Sequence, residues 1–160
     1  MAGKLLTWFE ALAFCIWDGG RLPTAAEYNL AWVGDGTEQR IYPWGNGIDA
    51  TRASYCPNAG VMQCLFSEGI ILDVGSKPAG AGRWGQLDLI GSMREYGLDY
   101  FQPIPVPCDD CAQLDNSRTG TRAAMGWSWS DTQQMIDTFG LSANLSTRTP
   151  AGGFRCARDL

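Results

Sequence analysis

Apolar and polar positions alternate with two different periods along this chain. Trp8, Ala11, Leu12, Cys15 and Ile16 recur at helical spacing, and Asp18-Gly19-Gly20 interrupts the run, which predicts an amphipathic helix over 7–17. Pro23-Thr24 opens a second helix. Thr24 is an N-cap and Glu27, three residues on, is the matching capping-box acid; the helix runs to about Val33 and ends at Gly34-Asp35-Gly36. Arg21, Thr24 and Glu27 therefore read first as structural. Beyond Gly36 the helical period fades. Ile41 to Asn46 reads as a turn with aromatic anchors. Residues 47–80 carry Gly, Pro, Asn and Ser at short intervals around one apolar run, Gly69 to Val74, with one or two short strands at most. Strands are predicted over Met93–Tyr100, Met125–Ser130 and Gly153–Arg158, with a long proline-bearing loop from Phe101 to Gly120. Such long loops inside one domain are unusual unless functional or cross-linked. No internal repeat and no low-complexity tract is present.

Composition narrows this picture. A chain of 160 residues with 45% hydrophobic positions is long enough to bury one core, so residues 1–160 are expected to form a single domain. The 7 tryptophans exceed what a core of this size needs, which leaves some for a binding surface. The net charge is −5, and no run of Lys or Arg reaches three, so a phosphate-backbone footprint is missing and nucleic acid is not an expected partner. Histidine is absent, which removes a Ser-His-Asp triad and a His-based zinc site. No apolar stretch is long enough to span a membrane. Met1-Ala2-Gly3-Lys4 does not open a signal peptide.

The 6 cysteines, Cys15, Cys56, Cys64, Cys108, Cys111 and Cys156, are even in number and invite disulfides. A four-cysteine zinc site is the rival reading, but the spacing is irregular and only one C-x-x-C is present. A redox role for Cys108-Asp109-Asp110-Cys111 is opposed by its two acids, which raise a thiol pKa that catalysis wants low.

Four blocks carry a family resemblance: Arg21 to Tyr28, Tyr42-Pro43-Trp44-Gly45-Asn46, Asp88 to Tyr96, and Gly153-Phe154-Arg155-Cys156. In this order they resemble the formylglycine-generating enzyme (sulfatase-modifying factor) family, from about Thr7 to the C-terminus. The resemblance implies an α+β, C-type-lectin-like fold: two N-terminal helices with a small, mostly antiparallel sheet and long loops. It also implies that the chain lacks the family's N-terminal strand region. It pairs Cys15 with Cys156, a closure for which chain entropy gives about 5 kcal/mol. Cys56–Cys64 and Cys108–Cys111 would then close two small loops. Disulfides of this kind imply an extracellular, periplasmic or cell-surface setting.

Enzymes of the family bind copper through two cysteines five positions apart, just after a glycine-glycine-serine-aromatic motif. That motif matches Gly126-Trp127-Ser128-Trp129, and the two cysteine positions fall on Asp131 and Ile136. Met125 stands for the usual arginine. No cysteine lies anywhere between Cys111 and Cys156. Thiolate is the ligand suited to Cu(I), so no copper is expected, and a non-catalytic binding domain is favoured over a formylglycine-generating oxidase. Relatives bind Ca²⁺ through the block matching Asp88 to Tyr96. Carried over, the ligands are the Asp88 side chain, the Gly91 and Met93 carbonyls and the Glu95 side chain, an all-oxygen set suited to Ca²⁺. Ser92, Arg94 and Tyr96 depart from the family pattern, and Arg94 is a rival cation for Glu95. A second Ca²⁺ site near Ser54 and Asp73 is weakened by Ser54 in place of Asn. The resemblance places the ligand-facing surface at Trp127, Trp129, Gln133, Gln134, Met135, Asp137, Thr138 and Phe139, a mixed aromatic-polar face suited to a protein, peptide or glycan. The same stretch is the variable face of lectin-like targets of diversity-generating retroelements, and an aromatic face also suits a self-assembling structural subunit. The bland reading of Trp127 and Trp129 is core packing.

Overall fold

The structure is a computed structural model, and it describes residues 5–37, 40–56, 71–103, 105–115, 120–132, 141–143 and 146–159. Two helices come first, α1 (Trp8–Trp17) and α2 (Ala25–Val33), each closed at its N-terminus by a capping box. In α1 the Thr7 hydroxyl accepts from the Glu10 N–H while Glu10 accepts from the Thr7 N–H; in α2 Thr24 and Glu27 do the same. Both boxes satisfy N–H groups that a helix start leaves without partners. Gly34, at φ +89°, ends α2 at the predicted position.

The sheet has four strands, β1 (Arg94–Tyr100), β2 (Arg122–Met125), β3 (Leu141–Ala143) and β4 (Gly152–Gly153), in the order β3-β2-β1-β4. β1–β2 and β2–β3 run antiparallel, and β4 lies parallel to β1. β1 begins within one residue of its predicted start. The strand predicted over Met125–Ser130 is displaced: pairing ends at Met125, because Gly126 (φ +86°) and Trp127 (φ +56°) turn the backbone out of the sheet. In the predicted Gly153–Arg158 strand only Gly153 joins the sheet, and Ala157 instead bridges Arg21. Ile71–Val74 form no strand. β3 gave no signal in the apolar pattern.

Two apolar clusters hold these elements. Trp8, Ala11, Cys15 and Leu22 pack with Tyr96 of β1, and the Trp8 indole N–H donates to the Gly97 carbonyl at 2.7 Å. Arg122 lies over Trp8 and Tyr100, at 4.2 and 3.7 Å from the ring centres. On the other side of the domain Tyr28 and Trp32 of α2 meet Tyr42, Tyr55, Leu89, Ile90, Met125 and Trp127. Asp99, buried at 3% exposure, joins α2 to the 101–113 loop by accepting from the Ala25 and Gln113 N–H groups. The outer face of α1, with Phe9, Ile16 and Trp17, is exposed among the described residues.

Cys15 and Cys156 form a disulfide across a sequence separation of 141, and Cys108 pairs with Cys111 across a separation of 3. Cys56 is disulfide-bonded, and its expected partner Cys64 lies outside the described residues. By chain entropy the long closure contributes about 5 kcal/mol and the short one about 2 kcal/mol, so the first anchors the fold and the second only its loop.

Glu27 also pairs with Arg21 at 2.7 Å, and this contact, followed by the Thr24 N–H, holds its carboxyl below the ordinary glutamate value. A lowered folded-state pKa adds stability above the unfolded-state value, and that stability disappears as the pH falls through the folded-state value. Urea unfolding from about pH 6 to about pH 3 is therefore expected to show a smaller acid loss for Glu27→Gln than for the parent chain. Equal slopes for the two proteins would remove Glu27 from the acid response.

Candidate functional site

The functional region lies where two loops cross above the end of the sheet. One loop, 85–93, leads into β1. The other, 126–131, leaves β2. The Gly91 N–H donates to the Gly126 carbonyl at 2.7 Å, and each glycine is required by the closeness of the approach. A Cβ on Gly91 would stand 2.2 Å from the Ser54 carbonyl oxygen, and one on Gly126 2.3 Å from the Tyr28 hydroxyl. Both residues have positive φ, which glycine adopts without cost. The buried Tyr28 hydroxyl donates to the Leu89 carbonyl at 2.7 Å. Burial, and then the nearby Glu95 charge, push its pKa well up, so it remains a donor.

Beneath the crossing, Arg155 pairs with Glu95 through both carboxylate oxygens, Nη2 reaching Oε1 at 2.9 Å. The same Nη2 donates to the Leu87 and Asp88 carbonyls at 3.0 and 3.2 Å, and the guanidinium lies 5.7 Å from the Tyr28 ring centre. Burial opposes the Arg155 charge, but Glu95 and Tyr28 outweigh it and raise its pKa above the ordinary arginine value. Arg94, the expected rival for Glu95, points the other way, because neighbouring residues of a strand project from opposite faces. It pairs instead with Asp131, with Nε at 2.9 Å from Oδ2 and Nη2 on Oδ1. Asp131 is 2% exposed, and its Oδ2 also accepts from the Ser128 N–H and hydroxyl at 2.6 and 2.7 Å.

The four residues carried over as Ca²⁺ ligands do share this region, but their oxygens are largely committed. Asp88 Oδ2 accepts from the Gly75 N–H at 2.6 Å, the Gly91 carbonyl accepts from the Met93 N–H at 2.8 Å, and Glu95 holds Arg155. Asp88, Glu95 and Arg155 together carry a net single negative charge. Ca²⁺ takes six to eight oxygens, generally several of them anionic, and here the Glu95 carboxylate is already held by Arg155. Ser54 of the second candidate site is likewise committed, its carbonyl accepting from the Ser92 N–H at 2.9 Å.

Trp127 and Trp129, expected on the ligand face, are buried at 2% and 7% exposure. Trp127 joins the cluster around Tyr28, because the turn at Gly126 swings its ring inward. Neither indole N–H has a hydrogen-bond partner among the described residues, an uncommon state for a buried donor. Trp127 also holds a positive φ, which is strained for a bulky residue. Gln133, Gln134 and Asp137, with Met135, Thr138 and Phe139, lie outside the described residues. Reasoning from the sequence missed Arg155 as the partner of Glu95 and Arg94 as the partner of Asp131. The second pair left a trace, since both positions depart from the family pattern, one to a cation and the other to a carboxylate.

The sulfatase-modifying factor enzyme 1-like domain profile matches residues 4–160, and the chain belongs to that family. It is 30% identical to the inactive C-alpha-formylglycine-generating enzyme 2 of Mus musculus over 171 aligned residues, covering 95% of this chain and 47% of the mouse protein. The chain thus spans about half the length of that relative. Among solved structures, PvdO from Pseudomonas aeruginosa superposes with a TM-score of 0.75 at 19% identity, over 99% of this chain and 62% of that one. Treponema denticola variable protein 1 superposes at 0.60 and 22% identity, over 84% of this chain and 45% of that one. These two likenesses establish the C-type-lectin-like fold.

Removing one member of a fully buried ion pair costs about 3–5 kcal/mol, an upper bound for this partly exposed pair. Arg155→Met is expected to lose an amount of that order in urea unfolding, and the double variant Arg155→Met/Glu95→Gln to recover part of it. A single variant within about 1 kcal/mol of the parent would show that the pair does not hold the loop.

Proposed function

We propose that this chain is a non-catalytic recognition domain of the formylglycine-generating enzyme type, working in an oxidising compartment outside the cytosol. The observation that carries the proposal is Asp131. The resemblance of Gly126-Trp127-Ser128-Trp129 to the family's motif implies the first copper-binding cysteine at this position, and here a buried carboxylate stands there, neutralised by Arg94 and bonded to Ser128. An acid closed by an arginine does not do the work of a thiolate toward Cu(I). The second cysteine position is Ile136, outside the described residues, and neither cysteine nor histidine exists in 112–155 to replace the pair. Similarity to a mammalian relative described as inactive supports the same reading. The rival reading, a formylglycine-generating oxidase, would need another seat for its metal.

Recognition is assigned to the 126–139 stretch. Two buried indole donors without partners among the described residues and a strained turn at Trp127 are the marks of a segment whose neighbours are shaped for a ligand rather than for stability alone. A protein, peptide or glycan is the class of ligand that the residue types of this stretch suit. The disulfides support the compartment, since such bonds persist where the surroundings are oxidising. No helix among the described residues is long and apolar enough to cross a membrane.

Two measurements test this reading. With Cu(I), oxygen and a cysteine-containing sulfatase peptide, mass spectrometry is expected to show no formylglycine above the protein-free background, and turnover would overturn the proposal. Thermal unfolding in excess Ca²⁺ and in chelator is expected to give the same midpoint, because Arg155 already supplies the positive charge at Glu95. A rise in Ca²⁺ of more than about 2 °C would assign the ion a structural role instead.

A further inference from the structure

Residues 72–74, the 85–93 loop and the segment after β4 enclose a cleft of about 410 Å³. This falls within the range of small-ligand sites. Leu72, Val74, Leu87 and Phe154 give it apolar walls, and Asp88 and Arg155 are its polar groups of interest. Each of these two is half spent. Asp88 uses Oδ2 on the Gly75 N–H, while Oδ1 has no protein partner among the described residues. Arg155 uses Nε and Nη2 on Glu95 and on two carbonyls, while Nη1 has none. Both groups line the same cleft.

A ligand matched to this arrangement carries a cation, an acceptor oxygen and an apolar group within a few bonds of one another. An α-amino amide has all three. We propose that the cleft binds the first residue of a peptide chain that begins with an apolar side chain: the ammonium sits on Asp88 Oδ1, the carbonyl oxygen on Arg155 Nη1, and the side chain against Leu72, Leu87 and Phe154. The net negative charge of Asp88, Glu95 and Arg155 selects the neutral carbonyl of an amide over the carboxylate of a free amino acid. It also rejects a blocked amino terminus, which has no charge to offer Asp88. The site is separate from the 126–139 stretch and stands or falls independently of it.

Calorimetric titration of the intact chain with phenylalaninamide, phenylalanine and N-acetylphenylalaninamide tests the assignment. The amide is expected to bind saturably and at least about tenfold more tightly than either of the others. Asp88→Asn keeps an oxygen for the Gly75 N–H and tolerates the positive φ of this position, so it is expected to melt like the parent while losing about tenfold in affinity for the amide. Equal binding of the acetylated compound, no saturable binding of the amide, or unchanged affinity in Asp88→Asn would each overturn the proposal. Tighter binding of free phenylalanine than of the amide would overturn the preference for a peptide and point to the free amino acid.

Discussion

The pairing of Arg155 with Glu95 is the contact through which the separate parts of this domain meet. Glu95 lies on the central strand and Arg155 two residues past the edge strand, directly before the cysteine that closes the long disulfide to α1. The guanidinium also takes the Leu87 and Asp88 carbonyls and lies near the Tyr28 ring of α2. One half-buried cation thus ties the C-terminal segment, the sheet, the 85–93 loop and a helix together. A sheet of this size, with a two-residue edge strand, would not orient its loops by ladder bonds alone. A buried ion pair adds little net stability, but it tolerates few alternative arrangements, and that selectivity is what a loop-rich domain lacks.

A second pair, Arg94 with Asp131, stands on the opposite face of the same strand and closes the other loop. Because Arg94 and Glu95 project from opposite faces of β1, the domain keeps two opposed charge pairs apart with one strand between them. Above them the 85–93 and 126–131 loops cross at Gly91 and Gly126, with no room for a side chain at either residue. The family's scaffold is thereby preserved while the position expected to bear a metal-binding thiolate carries a carboxylate already satisfied by the protein. Absence of the cysteine pair and retention of the fold are compatible because the two depend on different residues.

Much of this organisation is legible in the order of residues. Both capping boxes, the glycine stop after Val33, the start of β1 and the pairing of Cys15 with Cys156 implied by the family blocks all hold in the structure. These features rest on local spacing or on a motif that travels with the fold. The displaced second strand is the instructive miss. Met125 to Ser130 alternates suitably for a strand, but the approach of the Tyr28 hydroxyl and the Leu89 carbonyl forces a glycine turn at 126, and the pattern cannot register a contact with a helix nearly a hundred residues away.

The same limit governs the candidate site. Residue types and their order determined the family, the capped helices, the cysteine framework and the absence of a cysteine pair after Ser128. Only the tertiary structure decided which charge meets which. Arg94 and Glu95 are adjacent in the chain yet face apart, and their true partners lie 37 and 60 residues away. It also moved Trp127 and Trp129 from an expected surface into the interior. The physical reason is common to all of these. Spacing along a chain reports the face of a local element, whereas pairing and burial depend on which faces the fold brings together.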